Sequence, residues 1–361
     1  MRRLTAPGRM AFAGALLGIA ANVAVCGAQA QTRTVAEIAN YKGADRQQML
    51  EAGAKREGLV MLYSTGTQIQ PLVDRFIQKY PYLRVELPRG SAEDIVRKAF
   101  EEYRAGVHNA DVFELAAPAL IIPRSEGLLQ PFWSPEAADY TPDTVEQGRH
   151  WIVSRESYIG IGYNPNLIRP EDAPKSYADM LDPKWKGKMA MSSTNGTAAN
   201  WLGVMALSEG MDYVRKLSEQ DIRVYNILSR GLANLTISGE APISPTIYDS
   251  HVLGSRAQGA PIAWIAPGAV HVADGSVAVA STSPHPHAAM LLMDLLLSRE
   301  GQLIYQEMGY APSRPGVGEN RYSGLKKLYL SNRPNYLAEY EGWVKLVQEL
   351  FVRRAGAQQK P

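Results

Sequence analysis

Residues 178–204 of the chain, ADMLDPKWKGKMAMSSTNGTAANWLGV, hold a turn, a strand and a helix in close succession. Proline, lysine and glycine predict a turn over residues 182–188. Alternating side chains predict a strand over residues 188–191, and apolar residues at helical spacing predict a helix from Ala198 onward. A strand that runs through small polar residues into a helix gathers unpaired N–H groups and the positive end of the helix dipole at one place.

Five small residues between this strand and this helix are candidates for binding an anion, which a helix N-terminus favours. They are Ser193, Thr194, Asn195, Gly196 and Thr197. Serine, threonine and asparagine are also the preferred residues for capping any helix. Both interpretations, a helix cap and part of a ligand site, are therefore open.

The first 30 residues predict a signal peptide that is not part of the fold. Three arginines precede an uncharged run over residues 10–25, and Ala28-Gln29-Ala30 has the pattern of a cleavage site. An uncleaved anchor is the alternative, but a spanning helix needs about 20 apolar residues. Cleavage after Ala30 would remove three arginines, no acidic residue and the single cysteine, Cys26. The formal net charge would change from +2 to −1, which argues against a nucleic-acid partner.

The length of 361 residues exceeds what one hydrophobic core usually serves, so two lobes are expected. In the first half, strands predicted over residues 59–63, 82–87 and 110–115 alternate with amphipathic helices, the pattern of a doubly wound α/β layer. Ligands of such sheets bind at the carboxyl ends of the strands. This rule nominates three loops, although ordinary turns have a similar composition: Ser64, Thr65, Gly66 and Thr67; Gly90, Ser91 and Glu93; and residues 114–117.

The second half predicts a hinge and another α/β layer. Two strands, residues 151–154 and 158–164, are expected on either side of the charged pair Arg155-Glu156. Further strands are predicted over residues 241–248, 262–266, 269–273 and 277–280, and helices near residues 211–217, 228–238, 288–305 and 322–352.

Several motifs in a fixed order resemble those of the type II periplasmic solute-binding proteins of ABC importers, in the subgroup that binds ferric ion. The resemblance extends from about residue 45 to 315, and its most specific parts are the Tyr-Asn-Pro and Asp-Pro-Lys-Trp-Lys-Gly motifs. The motifs are Leu62–Thr65, Gly90-Ser91, Ala110–Phe113, Ile161–Pro165, Asp182–Lys188 and Ala288–Gln302. This resemblance implies an α/β fold of two doubly wound lobes joined by a hinge, with ligand capture in the periplasm and delivery to an inner-membrane permease.

Iron-binding members of that subgroup usually carry a consecutive Tyr-Tyr pair, because ferric ion prefers charged oxygen ligands. The matching position here is Ile247-Tyr248, so one tyrosine is missing. Glu93 and Tyr248 are the metal ligands that the resemblance leaves, and Fe³⁺ would need a synergistic anion to supply more oxygens. Tyr248 and Tyr158 would otherwise complete a pocket for an organic anion, unless they only pack.

Two other classes compete with a transport protein. An exported hydrolase would need a catalytic motif, yet no G-x-S-x-G, H-E-x-x-H or P-loop pattern occurs, and the six histidines are scattered. A sensor lobe for a signalling receptor would have the same fold.

The sequence therefore predicts a monomeric binding protein that is not an enzyme and that captures its ligand by closure. One lobe comprises residues 31–155 and 275–315, and the other comprises residues 156–274 and 316–361. The hinge lies near residues 155–158 and 273–276.

Overall fold

The structure is a computed structural model that describes residues 33–66, 69–193, 196–318 and 324–352. Its α-helices are α1 (Val35–Ala39), α2 (Arg46–Glu57), α3 (Gln70–Lys79), α4 (Ala92–Arg104), α5 (Ala117–Ser125), α6 (Thr197–Ser208), α7 (Met211–Leu217), α8 (Ser229–Ser238), α9 (Asp249–Ala257), α10 (Pro286–Leu297), α11 (Arg299–Glu307) and α12 (Tyr336–Val347). The β-strands are β1 (Leu59–Ser64), β2 (Arg84–Glu86), β3 (Val112–Leu115), β4 (Leu129–Gln130), β5 (Trp151–Tyr163), β6 (Ala190–Ser192), β7 (Arg223–Tyr225), β8 (Ile243–Tyr248), β9 (Ala263–Ile265), β10 (Val270–Ala280), β11 (Ala311–Pro312) and β12 (Lys327–Leu328).

The expected α/β layer is present in the first half. β1 pairs in parallel with β2 and with β3, and helices α3 and α4 connect these strands. The sheet continues in the order β11-β5-β10-β3-β1-β2, in which the pairs formed by β10 and β5 are antiparallel. β8 and β9 pair with a later part of β5, so this strand belongs to both halves of the sheet.

The prediction of two strands around Arg155-Glu156 is wrong, because β5 runs unbroken through these residues. Both charged side chains have partners in place: Arg155 pairs with Glu114, and Glu156 accepts a hydrogen bond from Lys327. The strands expected at residues 269–273 and 277–280 are likewise one strand, β10, whose Asp274 accepts a hydrogen bond from Ser276. Charge alone did not interrupt either strand, since each charge is compensated.

One long helix was expected over residues 288–305, but the structure has two. Ser298 separates α10 from α11 with an extended backbone, and its hydroxyl accepts a hydrogen bond from the Gly301 N–H at 3.1 Å. The short strand expected at residues 188–191 lies two residues later, as β6.

Two large hydrophobic clusters lie on either side of the central strands. On β10, Val277 and Val279 pack with α10 in one cluster, whereas Ala278 packs in the other cluster with residues of α6 and α12. This alternation is that of a strand buried on both faces. Helix α12 packs against α6, so the tail of the chain covers the helix that follows the predicted anion site.

Among the described residues, no helix combines the length and the apolar character that crossing a membrane requires. The predicted signal peptide lies outside these residues.

Candidate functional site

Helix α6 begins at the predicted anion site, with Gly196 at its N-cap position. Gly196 has a φ of 66°, a left-handed conformation that glycine adopts without steric cost. No side-chain hydrogen bond from this cap residue reaches the first turn of α6. The first N–H groups of a helix have no partner within the helix. At α6 the residue in the cap position is a glycine, so it has no side chain that could accept from them.

Ser193 is not the helix cap either. Its N–H and its Oγ both donate to the carbonyl of Tyr225, at 3.0 and 3.3 Å, and so they tie the loop to the end of β7. The Ser192 hydroxyl donates to the Ile227 carbonyl at 2.6 Å. These serines hold the loop in position, while Thr194 and Asn195 lie outside the described residues.

Tyr248 stands at the end of β8, with its side chain close to that of Thr197, the first residue of α6. Thr197 is buried and Tyr248 is half-buried. Burial raises the pKa of the Tyr248 phenol, and the nearby charge of Asp274 adds to this effect. The phenol is therefore protonated at neutral pH, and the structure confirms neither a ligand role nor mere packing for it.

His251 lies one helical turn after Tyr248, with the two ring centroids 5.2 Å apart. Its Nδ1 is buried and has no hydrogen-bond partner among the described residues. Burial lowers the pKa of His251 to about 4, and the charge of Arg230 contributes. A neutral imidazole thus accompanies Tyr248 at the start of α9.

The loops after β1 and β3 come together at a buried carboxylate, Glu114. The Ser64 hydroxyl donates to its Oε2 at 2.5 Å, and the Arg155 Nε donates to its Oε1 at 2.7 Å. Ser64 in turn accepts the Gly66 N–H at 2.8 Å, and the Thr65 N–H donates to the Glu114 carbonyl at 3.1 Å. Three of the four predicted residues of this loop are thereby ordered around Glu114, and the fourth, Thr67, lies outside the described residues.

Asp274 on β10 binds the N-terminus of α5. Its Oδ2 accepts the Ala117 N–H at 3.2 Å and the Ser276 hydroxyl at 2.6 Å. Burial raises the pKa of Asp274. Because Asp274 already accepts a hydrogen bond from the start of α5, that helix terminus is a weaker candidate for binding an anion. The start of α6, next to Tyr248, is the stronger candidate.

The loop after β2 leads into α4, where Ser91 is the cap. Its hydroxyl accepts the Asp94 N–H at 3.1 Å. Gly90, Ser91 and Glu93 are all exposed. Glu93 is close enough to Tyr340 of α12 for its charge to raise the pKa of that phenol, after the larger effect of burial.

The structure does not bring Tyr158 to Tyr248. Tyr248 is the cross-strand partner of Ile159, and neighbouring residues of a strand point to opposite faces, so Tyr158 lies on the other face of the sheet. There its hydroxyl donates to Glu156 beside a cavity of about 490 Å³ that Lys327 and Tyr329 also line. The expectation that both tyrosines complete one pocket is corrected by this alternation.

The sequence predicted that the loop at residues 114–117 faces the ligand and that residues 155–158 form a hinge. It did not identify Glu114 or Arg155 as individual site residues. The predicted hinge segment 273–276 contained Asp274 without giving it a role, and Tyr340 was missed entirely. A charged residue within an apolar strand sequence was the signal for Glu114, Arg155 and Asp274. Tyr340 gave none, because Tyr336, Tyr340 and Trp343 have the spacing of a helix that packs.

No group of three or more histidine, cysteine, aspartate or glutamate side chains in the described ranges is arranged to hold a metal ion. A ferric ion would therefore depend on phenolate oxygens, or on oxygens that it brings with it. Glu93 and Tyr248 as metal ligands stay a prediction.

Residues 123–328 match the family of bacterial extracellular solute-binding proteins. Iron uptake protein A1 of Synechocystis is 22% identical over 260 residues, which are 66% of this chain and 71% of that protein. Iron-bound HitA from Pseudomonas aeruginosa superposes with a TM-score of 0.68 at 21% identity, covering 81% of this chain and 99% of its own. AfuA from Actinobacillus pleuropneumoniae, with fructose-6-phosphate bound, gives 0.65 at 19% identity, covering 82% and 99%.

These similarities confirm the two-lobed α/β fold with its hinge and the resemblance drawn from the motifs. They give no support to an exported hydrolase, because the matched family consists of proteins that bind solutes for transport and not of enzymes. The family match covers more than half of the chain. The chain belongs to the family of bacterial extracellular solute-binding proteins.

Proposed function

We propose that this protein captures a small solute bearing a carboxylate or phosphate group and delivers it to an ABC permease. One observation carries the proposal: the Tyr248 phenol lies beside Thr197, at a helix terminus whose cap residue is a glycine. The N–H groups of that terminus and the phenol are donors directed at one region. An oxyanion is the ligand that accepts from such donors.

The charges nearby support an anion held by neutral donors. Glu114 is neutralised by Arg155, and Asp274 accepts two hydrogen bonds at the start of α5. Burial raises the pKa of Tyr248, so the phenol keeps its proton, can donate a hydrogen bond and does not add a negative charge. An anionic group at α6 would accept hydrogen bonds from the helix N–H groups.

Capture would proceed by closure of two lobes, residues 31–155 with 275–315 and residues 156–274 with 316–361. β5 and β10 cross between these segments and pair at residues 155–159 and 271–275. The loops of Thr65 and Glu93 belong to the first lobe, and Thr197 and Tyr248 belong to the second. Bending of the two strands would bring these loops onto the ligand and exclude water.

Ferric ion with a synergistic anion is the second candidate. Similarity to iron uptake protein A1 and to iron-bound HitA favours it. The anion would bind at α6, and Tyr248 with Glu93 would be the protein's ligands to the metal. Against it stands the absence of the second tyrosine, since Ile247 is fully buried in the core.

Members of this family act outside the cytoplasm, and the charged start of the chain fits that location. We place the mature protein in the periplasm as a monomer, after cleavage behind Ala30. Its partner would be the permease of the inner membrane, and no nucleic acid is expected.

A thermal-shift screen of the metal-stripped protein tests the proposal, because a ligand that binds only the native state raises the melting temperature. The panel contains carboxylates, phosphate esters and phosphonates, and ferric ion with and without citrate or phosphate. A shift with a metal-free anion supports the first candidate, and a shift that requires ferric ion supports the second. No shift with any of these would contradict both.

A further inference from the structure

Helix α12 presents three aromatic residues to α6. The Tyr336 hydroxyl donates to Asn200 Oδ1 at 3.0 Å, and a Cβ added to Gly203 would lie 2.7 Å from Trp343. Tyr340 lies between them on the same helix face, and its ring stacks on Tyr336 with centroids 5.6 Å apart. The ring of Tyr340 is thus held in place by its stacking on Tyr336.

Tyr340 lies directly against the start of α6. A Cβ added to Gly196 would be 2.3 Å from the Tyr340 Oη and 2.9 Å from two of its ring carbons. Glycine at the cap position therefore serves two purposes: it adopts the left-handed backbone, and it makes room for this phenol. Tyr340 is half-buried, and its hydroxyl has no hydrogen-bond partner within the part of the chain that the structure describes.

Tyr340 also lies near a charged residue from the first half of the chain. After burial, the negative charge of Glu93 further raises the pKa of Tyr340. The two residues lie on α4 and α12, far apart in sequence. On the side of α6, Tyr248 lies close to Thr197, the residue after Gly196. Two phenols therefore approach consecutive residues at one helix terminus, and a carboxylate from the first half of the chain approaches one of them.

We infer that Tyr340 is a ligand-binding residue at this helix terminus. It provides a second phenolic oxygen beside that of Tyr248, because the residue before Tyr248 in the chain is Ile247 and not a second tyrosine. The inference rests on the proposed function and makes it more specific. The ligand's oxyanion would accept hydrogen bonds from two tyrosines and from the first N–H groups of α6. A solute with at least two oxygens on one centre, a carboxylate or a phosphate, fits this set of donors.

Calorimetric titration of the purified protein with inorganic phosphate, citrate and ferric citrate tests the inference. The variants are Tyr340→Phe, Tyr248→Phe and Tyr336→Phe. Tyr336→Phe is the matched control, because it removes a hydroxyl from the same aromatic face one turn away, where the hydroxyl bonds to Asn200. Loss of a hydrogen bond to a charged group is expected to weaken binding roughly tenfold or more in Tyr340→Phe. Tyr336→Phe should lower the melting temperature and leave the affinity within twofold.

The outcomes separate the two claims. If Tyr248→Phe weakens binding while Tyr340→Phe binds like the wild type, the inference is wrong and the proposed function stands. If the wild-type protein binds none of the three probes and no anion of the thermal-shift panel, the proposed function fails, and the inference fails with it. If Tyr336→Phe weakens binding as much as Tyr340→Phe does, the effect comes from packing of α12, and the ligand role of Tyr340 is refuted.

Discussion

The Nε of Arg155 lies 2.7 Å from Oε1 of Glu114, which joins the long strand β5 to the carboxyl end of β3. Glu114 is fully buried and the Arg155 side chain is 11% exposed. The guanidinium also stands 4.4 Å from the ring centroid of Tyr310. This ion pair connects the strand that we propose as a hinge to the loop that holds Ser64 and Thr65.

Removing the cation of this pair should destabilise the fold strongly. In Arg155→Met, the buried Glu114 would keep only the Ser64 hydroxyl as a side-chain partner among the residues that the structure describes. Breaking a buried ion pair from one side costs about 3–5 kcal/mol. The free energy of unfolding in urea measures this loss. The matched control is Arg169→Met, whose solvent-exposed pair with Asp172 should contribute far less to stability. Equal losses in the two variants would show that the Arg155 pair contributes no more than a surface pair.

Gly275 is expected to be required for the path of Arg155. A Cβ at this position would lie 2.6 Å from the Arg155 Cζ and Nε. Gly275→Ala should therefore cost about 1–3 kcal/mol by displacing the guanidinium. The cost should shrink in an Arg155→Ala background, since the colliding Cγ, Nε and Cζ are then all absent. A double-mutant cycle of unfolding free energies measures this coupling. Additive losses would contradict the proposed collision.

Tyr248→Phe should weaken the binding of any anionic ligand roughly tenfold or more, because a hydrogen bond to a charged group is lost. The ring would remain and preserve the packing of β8. Tyr103→Phe, which changes a tyrosine that is 40% exposed on α4, is the control. A binding isotherm of Tyr248→Phe that coincides with that of the control would mean that Tyr248 only packs.

The buried His271 should make the protein less stable in acid. Burial lowers the pKa of His271 to about 4, whereas an unfolded chain has a histidine pKa near 6.5. As the pH falls below 6.5, His271 becomes protonated in the unfolded state but stays neutral in the folded state. The free energy of unfolding therefore decreases until the pH reaches about 4. The loss at the lower limit is about 3 kcal/mol.

His271→Gln removes this titration. The difference in unfolding free energy between wild type and variant, measured from pH 7.5 to 4, isolates it from other groups. His285 acts in the opposite direction, because Asp111 raises its pKa, and its contribution cancels in this difference. A pH-independent difference would contradict the assignment.

Much of the first half could be predicted from sequence, because its signals are local. The apolar run at residues 59–63 and the cap at Ser91 each act over a few residues, and β1 and α4 form where they predict. The errors at Arg155 and Asp274 have one cause. Whether a charge interrupts a strand depends on partners such as Glu114 and Ala117 that are far away in sequence.

The site shows the same division. Small residues before α6 identified the helix terminus, but which of them face a ligand depends on contacts with β7, and Ser193 is tied to Tyr225. Strand alternation would have separated Tyr158 from Tyr248, had the pairing of Ile159 with Tyr248 been known. Tyr340 could not be found from spacing, because its neighbours Gly196 and Glu93 are brought to it only by the tertiary fold.

The most direct test of the account is a crystal structure of the protein with the anion that gives the largest thermal shift. The account predicts ligand oxygens within about 3 Å of the first N–H groups of α6 and of the Tyr248 hydroxyl. Ligand density in the cavity beside Tyr158 and Lys327, with water at the start of α6, would contradict it.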